Sequence, residues 1–271
     1  MSRHDGTAKE DPMTKPKWSA FPYPAKDYAY GGDALKKNWA ALHEGDCEPY
    51  PREEAAREAW RLFHQGKFAE AVAAGLEEGG SACVAALKSQ VIYASGVEKK
   101  ESSRVALLEE AMRRAEVLAR DEPKNVNAHY LYAFAAGRYS QRISVVKALA
   151  QGYGGKIRAA LETTLKLVPR HADAHIALGA WHAEILDKVG GMVAGLTYGA
   201  KKEAAEEHFR KALKLAPHSP IARIEYANGL VMIHGKKMVG EAGRLYAEAA
   251  ALRPRDAMER LDVETARAEL A

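Results

Sequence analysis

His171, His175 and His182, with Asp173 among them, are the residues whose type and spacing come nearest to chemistry. His171 and His175 are four apart and His175 and His182 seven apart, so all three imidazoles can share one helical face. A metal ion would need such a face, but one face of one helix seldom supplies a complete ligand set. His129 occupies the position equivalent to His175 with no second histidine beside it. The expected role of His175 and His182 is therefore packing against a neighbouring helix, and no metal or other cofactor is expected. Two glycine-rich stretches, Gly152-Tyr153-Gly154-Gly155-Lys156 and Gly195-Leu196-Thr197-Tyr198-Gly199-Ala200-Lys201, invite a phosphate-loop reading. Neither has the G-x-x-x-x-G-K-[ST] spacing and neither follows a strand. Cys47 lies between Asp46 and Glu48, whose charges disfavour a thiolate. No nucleophile elbow or carboxylate pair stands out, so the chain reads as non-catalytic.

The elements that must position these residues are helices. Ala, Leu, Glu, Lys and Arg dominate the 271 residues, while runs of Val, Ile and Thr are missing. The net charge of +4 is small for this length and gives no support to nucleic-acid binding. Glu206 to Arg210 and Glu207 to Lys211 are four-residue spacings, as on a solvated helix face. Two cysteines make no disulfide framework, and the sequence shows no signal peptide or membrane-length apolar run. It reads as soluble and cytoplasmic.

The chain is punctuated. Pro123, Pro169, Pro217 and Pro254 each close a helix. Before three of them the same apolar spacing recurs: Ile157, Leu161, Thr164 and Leu165; Ala205, Phe209, Ala212 and Leu213; Ala242, Tyr246, Ala249 and Ala250. Asn127-Ala128-His129 follows Pro123 as Asp173-Ala174-His175 follows Pro169, and Leu178-Gly179 sets a large residue beside a tiny one. With Gly66-Lys67-Phe68-Ala69 as an inter-helix turn and Ala205, Phe209, Ala212 and Pro217 as a repeat end, the chain resembles the tetratricopeptide repeat (TPR) proteins. That resemblance implies an all-α, right-handed solenoid. The division it suggests is an aromatic, proline-rich arm and short helix over 1–50, helix pairs over 51–254, and a capping helix over 255–271 with Met258, Leu261 and Ala268 inward.

A TPR unit is about 34 residues. Here 46 residues separate Pro123 from Pro169, 48 separate Pro169 from Pro217, and 37 separate Pro217 from Pro254. The surplus of the middle units lies between their two helices, around Ser140–Leu149 and Val189–Leu196. This double insertion, with the His175, Leu178, Gly179 and Trp181 opening, is similar to the regulator of microtubule dynamics family, and that similarity implies association with microtubules or organelle membranes.

The function expected from a solenoid is to hold a partner. A protein or peptide would lie in the concave groove against Asn127, Tyr130, Phe134 and Arg138, then Asp173, Ala180 and Glu184, then Asn228, with Tyr130 and Phe134 as anchors and Arg138 meeting a carboxylate. A different class of function is a carrier or sensor of a small apolar ligand, held between the insertions by Val145, Leu149, Met192, Val193 and Leu196. Self-association into a homo-oligomer is also open to such a surface.

Overall fold

The computed structural model describes residues 18–271, and all the regular structure in them is helical. Pro16, part of the expected arm, lies outside the described residues. A short helix α1 (Ala34–Leu42) precedes five successive pairs: α2 (Glu54–His64) with α3 (Phe68–Glu78); α4 (Ala82–Gly96) with α5 (Glu101–Asp121); α6 (Val126–Ile143), through the short α7 (Val145–Ala150), with α8 (Tyr153–Leu167); α9 (Ala172–Val189), through α10 (Gly191–Val193) and a π-turn over Ala194–Tyr198, with α11 (Lys202–Leu215); and α12 (Pro220–His234) with α13 (Val239–Ala251). Helix α14 (Ala257–Glu269) follows. Within each pair the two helices pack together, each pair packs on the one before, and the opening helices α2, α4, α6, α9 and α12 also touch in sequence, which is the stacking of a solenoid.

The proline punctuation has a structural partner that explains its regularity. Two residues after each proline stands an N-cap whose side chain accepts a backbone N–H three positions on: Asn125 from Ala128, His171 from Ala174, Ser219 from Ala222 and Asp256 from Glu259. The proline ends one helix and the cap satisfies the orphaned donors of the next. His129 and His175 then make the same contact in successive units, each Nε2 lying 3.0 and 3.2 Å from the carbonyl of Pro123 and Pro169 respectively.

Two glycines let α11 approach α9 and α12 closely. A Cβ on Gly179 would stand 2.8 Å from Phe209 Cδ1, and one on Gly229 would stand 2.8 Å from Phe209 Cζ. The Phe209 ring is fully buried between α9 and α12, so the small residue beside Leu178 has the role its position suggested.

The two insertions meet. Leu149 of α7 and Tyr198 of the π-turn converge on Gly154, whose missing Cβ would lie 2.6 Å from Leu149 Cδ2 and 3.5 Å from Tyr198. Arg158 donates to the Tyr198 carbonyl at 2.8 Å and Trp181 Nε1 to that of Gly154 at 2.9 Å.

The chain ends depart from a simple stack. Trp18 stacks on Tyr93 with ring centroids 4.0 Å apart, and Phe21 packs edge-on against Phe68. Helix α14 does more than cover the last pair. It packs on α12 and α13 and reaches back to α2, because polar groups tie it to the first helices. Buried Asp256 is 2.8 Å from His64 Nδ1, Arg255 is 3.1 Å from Glu44, and Tyr30 donates to the Arg255 carbonyl at 2.6 Å. Of the residues expected to face inward, Met258 and Leu261 pack against the core, whereas Ala268 is exposed. Ala268 lies in the last turn of α14, where Ala266 is the residue turned to the neighbouring helices.

Candidate functional site

Because α14 lies across the inner face of the stack, the concave surface is a chamber of about 360 Å³. Its walls come from α4, α6, α7, α9, α12 and α14, with smaller contributions from α8 and α13, and Phe134, Ile176, Ile224, Met258 and Leu261 supply apolar surface. Tyr130 and Phe134 stack in parallel at 5.7 Å, one helical turn apart on α6. Gly96 on α4 permits the approach of α14: a Cβ there would meet Leu261 Cδ1 at 3.0 Å.

The polar groups of this wall fall into three sets. Arg138, carried over the Phe134 ring at 5.5 Å, reaches across from α6 to Glu225 on α12 at 2.8 Å. Glu184 accepts from Gln141, and Tyr246 donates to Asn228 Oδ1 at 2.6 Å. At the α4 side Lys88 closes a buried salt bridge of 2.5 Å with Asp46, which also takes His43 Nδ1 at 2.9 Å. Burial pushes the Asp46 carboxyl up, but Lys88 and His43 outweigh it and hold it well below the usual carboxylate range.

Two carboxyl groups stand differently. Burial, followed by the neighbouring Lys88 in opposition and Asp46 in support, leaves Asp173 raised to about 6. Burial, with Glu259 and Asp256 adding their repulsion, raises Asp262 well above its ordinary value. Neither side chain has a hydrogen-bond donor among the described residues, although both line the chamber.

Of the residues expected in the groove, Tyr130, Phe134, Arg138, Asp173, Ala180, Glu184 and Asn228 line this chamber. Asn127 does not. It is buried outside the chamber lining, donating to the Asp46 carbonyl at 3.1 Å and Glu48 Oε2 at 2.6 Å while His171 Nε2 donates to its Oδ1 at 3.0 Å. The segment after α1 covers it, which the repeat pattern gives no means of seeing. The Arg138 side chain already has its carboxylate within the chain. Val145 and Leu149 reach the chamber wall, whereas Met192, Val193 and Leu196 are exposed and do not line it.

The histidines have ordinary partners. Besides capping α9, His171 holds Asn127; His175 Nδ1 lies 2.8 Å from His208 Nδ1; His182 Nδ1 accepts from the Lys201 N–H at 3.2 Å. Burial lowers His171, His175 and His182 to about 4, so each is the neutral acceptor or donor these contacts require. Among the described residues no group of three or more His, Cys, Asp or Glu is placed to hold a metal ion. Cys47 has its thiol pushed up by burial and by Asp46.

Sequence reasoning missed Lys88, Glu225, Tyr246 and the whole α14 wall. One signal was present. Met258, Leu261, Asp262 and Thr265 share a helical stripe, and an aspartate within an apolar stripe marks a face that meets something other than a dry core.

This architecture defines a TPR-like solenoid. It is similar to the crystal structure of TTC0263, a thermophilic TPR protein of Thermus thermophilus, with a TM-score of 0.57 and 18% sequence identity over 79% of this chain and 98% of that one. A family model described as Regulator of microtubule dynamics protein 1-3 matches residues 78–227, and the chain belongs to that family. No curated protein matches the chain at a significant level. Repeat proteins of this build are typically non-catalytic and serve in protein interaction, and among the described residues no helix is long and apolar enough to cross a membrane.

Proposed function

We propose that this protein is a non-catalytic adaptor whose concave chamber takes a short segment of a protein partner, one or two side chains at a time. The observation that carries this reading is the convergence of four successive opening helices and α14 on one chamber bearing the Tyr130–Phe134 stack. Its volume suits a side chain or chain end, and α14 stands where a long peptide would otherwise run through the groove. Aromatic anchors in a concave, mostly apolar wall are the usual makings of a binding hot spot. A photo-crosslinking residue in place of Phe134, with one in place of exposed Met192 as control, tests it in native lysate. A discrete adduct at position 134 that is absent at 192 is the expected result; adducts at 192 alone would refute the chamber.

A carrier of a small ligand is the second reading, favoured by a volume within the range of small-molecule sites. It would not use both insertions as the sequence suggests, because Val145 and Leu149 border the chamber while Met192, Val193 and Leu196 are exposed outside it. A stoichiometric small molecule released on denaturing the purified protein would replace the adaptor reading with this one.

A further inference from the structure

We propose that the edge of the solenoid formed by the turns inside its helix pairs seats on an anionic lipid bilayer surface, with Met192 and Leu196 entering the boundary between head groups and acyl chains. This goes beyond the adaptor reading and does not depend on it.

Topology puts these turns together. Paired helices fold back on one another and the pairs stack in order, so the turn inside each pair falls on one edge and the turn between pairs on the other. The five inner turns are residues 65–67, 97–100, 144–152, 190–201 and 235–238. They carry Lys99, Lys100, Lys147, Lys201, Lys236 and Lys237, with Lys67 in the first, against a single acid, Glu98. All seven lysines are exposed. Among the described residues the lysines in ion pairs are Lys88 and Lys188, neither of them in these turns. Glu98 is taken up locally, accepting from the Lys100 N–H at 2.8 Å and the Tyr93 hydroxyl at 3.1 Å. This edge therefore stands at +6 in a chain whose net charge is +4. The turns between pairs and before α14, residues 79–81, 122–125, 168–171, 216–219 and 252–256, stand at only +2.

The same edge projects apolar side chains into water. Met192 is 80% and Leu196 85% exposed, the two highest values among the large apolar residues, and Val146, Val193 and Val239 in or beside these turns are about half exposed. The tip is held out by fixed contacts. Ala194, between Met192 and Leu196, is fully buried and its carbonyl accepts the Ala200 N–H at 3.0 Å, while Arg158 holds the Tyr198 carbonyl at 2.8 Å. From Val189 to Leu196 every residue is glycine or apolar, so the tip offers a protein partner no directional side-chain contact. Apolar insertion backed by lysines needs no direction, and that combination is what an anionic bilayer surface recognises. The stretch is too short to span a bilayer, which leaves peripheral seating as its use.

The test sediments the full chain with vesicles of phosphatidylcholine, and with vesicles of equal parts phosphatidylcholine and phosphatidylserine. Binding to the mixed vesicles is expected, and binding to phosphatidylcholine alone should be at least about tenfold weaker. Met192→Ser with Leu196→Ser should weaken binding to the mixed vesicles by at least about tenfold while leaving the melting temperature unchanged. Lys236→Glu with Lys237→Glu, on a different helix pair, should weaken it as well. Leu196→Trp should show a blue-shifted emission on the mixed vesicles, read against the unaltered protein. Val117→Trp, on α5 about 24 Å from the edge, should show none. No sedimentation with either vesicle, equal sedimentation with both, unchanged binding by the double-serine variant, or equal shifts at 196 and 117 would each overturn the proposal. None of these results bears on the crosslink at position 134, so its failure and that of the adaptor reading are told apart.

Discussion

Replacing Glu48 by Gln should make the protein more stable at pH 8 and leave it nearly unchanged at pH 5. Glu48 is almost fully buried beside the Asp46 carboxylate. Burial first, and that charge second, raise it from an ordinary value of 4.5 to about 8 despite the hydrogen bond from Asn127. In the unfolded chain the group ionises near 4.5, so between the two values the folded state holds a proton that the unfolded state releases. Stability therefore falls as pH rises from 4.5 to 8 and is flat beyond. The gap is worth at most about 5 kcal/mol, at 1.36 kcal/mol per unit, and about 2 kcal/mol has accrued by pH 6. Water reaching the carboxylate would screen it, so a gain of about 2 kcal/mol at pH 8 is the reasonable expectation. Glutamine keeps the acceptor for Asn127 and carries donors where the acid carried its proton. Urea unfolding of both proteins at pH 5, 6, 7 and 8 isolates the effect, because every other titrating group is common to the pair and cancels in the difference. A Glu48→Gln variant displaced by the same amount at all four values would mean that Glu48 is ionised in the fold, and the reasoning would be wrong.

Other changes have definite expected outcomes. Gly229→Ala, which in an open helix would stabilise, should instead cost about 1–3 kcal/mol by driving a methyl into Phe209, seen as a lower melting temperature. His64→Ala removes the side-chain partner of buried Asp256 and should cost about 1–3 kcal/mol, with amide exchange in α14 rising more than in α9. Met192→Ser together with Leu196→Ser should change stability by no more than about 0.5 kcal/mol each, since both side chains are largely in solvent; a large drop in the denaturation midpoint would show that the second insertion is packed against the protein in solution.

What the sequence could disclose follows from how local each feature is. The helix pairs were legible because an apolar stripe at 3.6-residue spacing and a proline at each repeat end are properties of neighbouring residues. The Gly179 contact was legible for the same reason, as a tiny residue beside Leu178 has few uses other than close helix approach. Asn127 was placed in the groove by analogy between units, and the analogy failed because the loop after α1 crosses over it, a contact between residues 81 apart. The placing of α14 across the groove involves His64 meeting Asp256 at a separation of 192 residues and Arg255 meeting Glu44 at a separation of 211. No periodicity encodes that. The same cap position that is filled by Asn125, His171 and Ser219 in the inner units is filled by Asp256 in the last, where its second oxygen is free to reach the first pair. The cap that starts α14 thus also fastens the end of the stack to its beginning, and it helps hold α14 across the concave face. One of the ties that close the stack therefore rests on a cap having a carboxylate where its counterparts have an amide, an imidazole or a hydroxyl, beside the Arg255–Glu44 pair and the packing of α14 on α12 and α13.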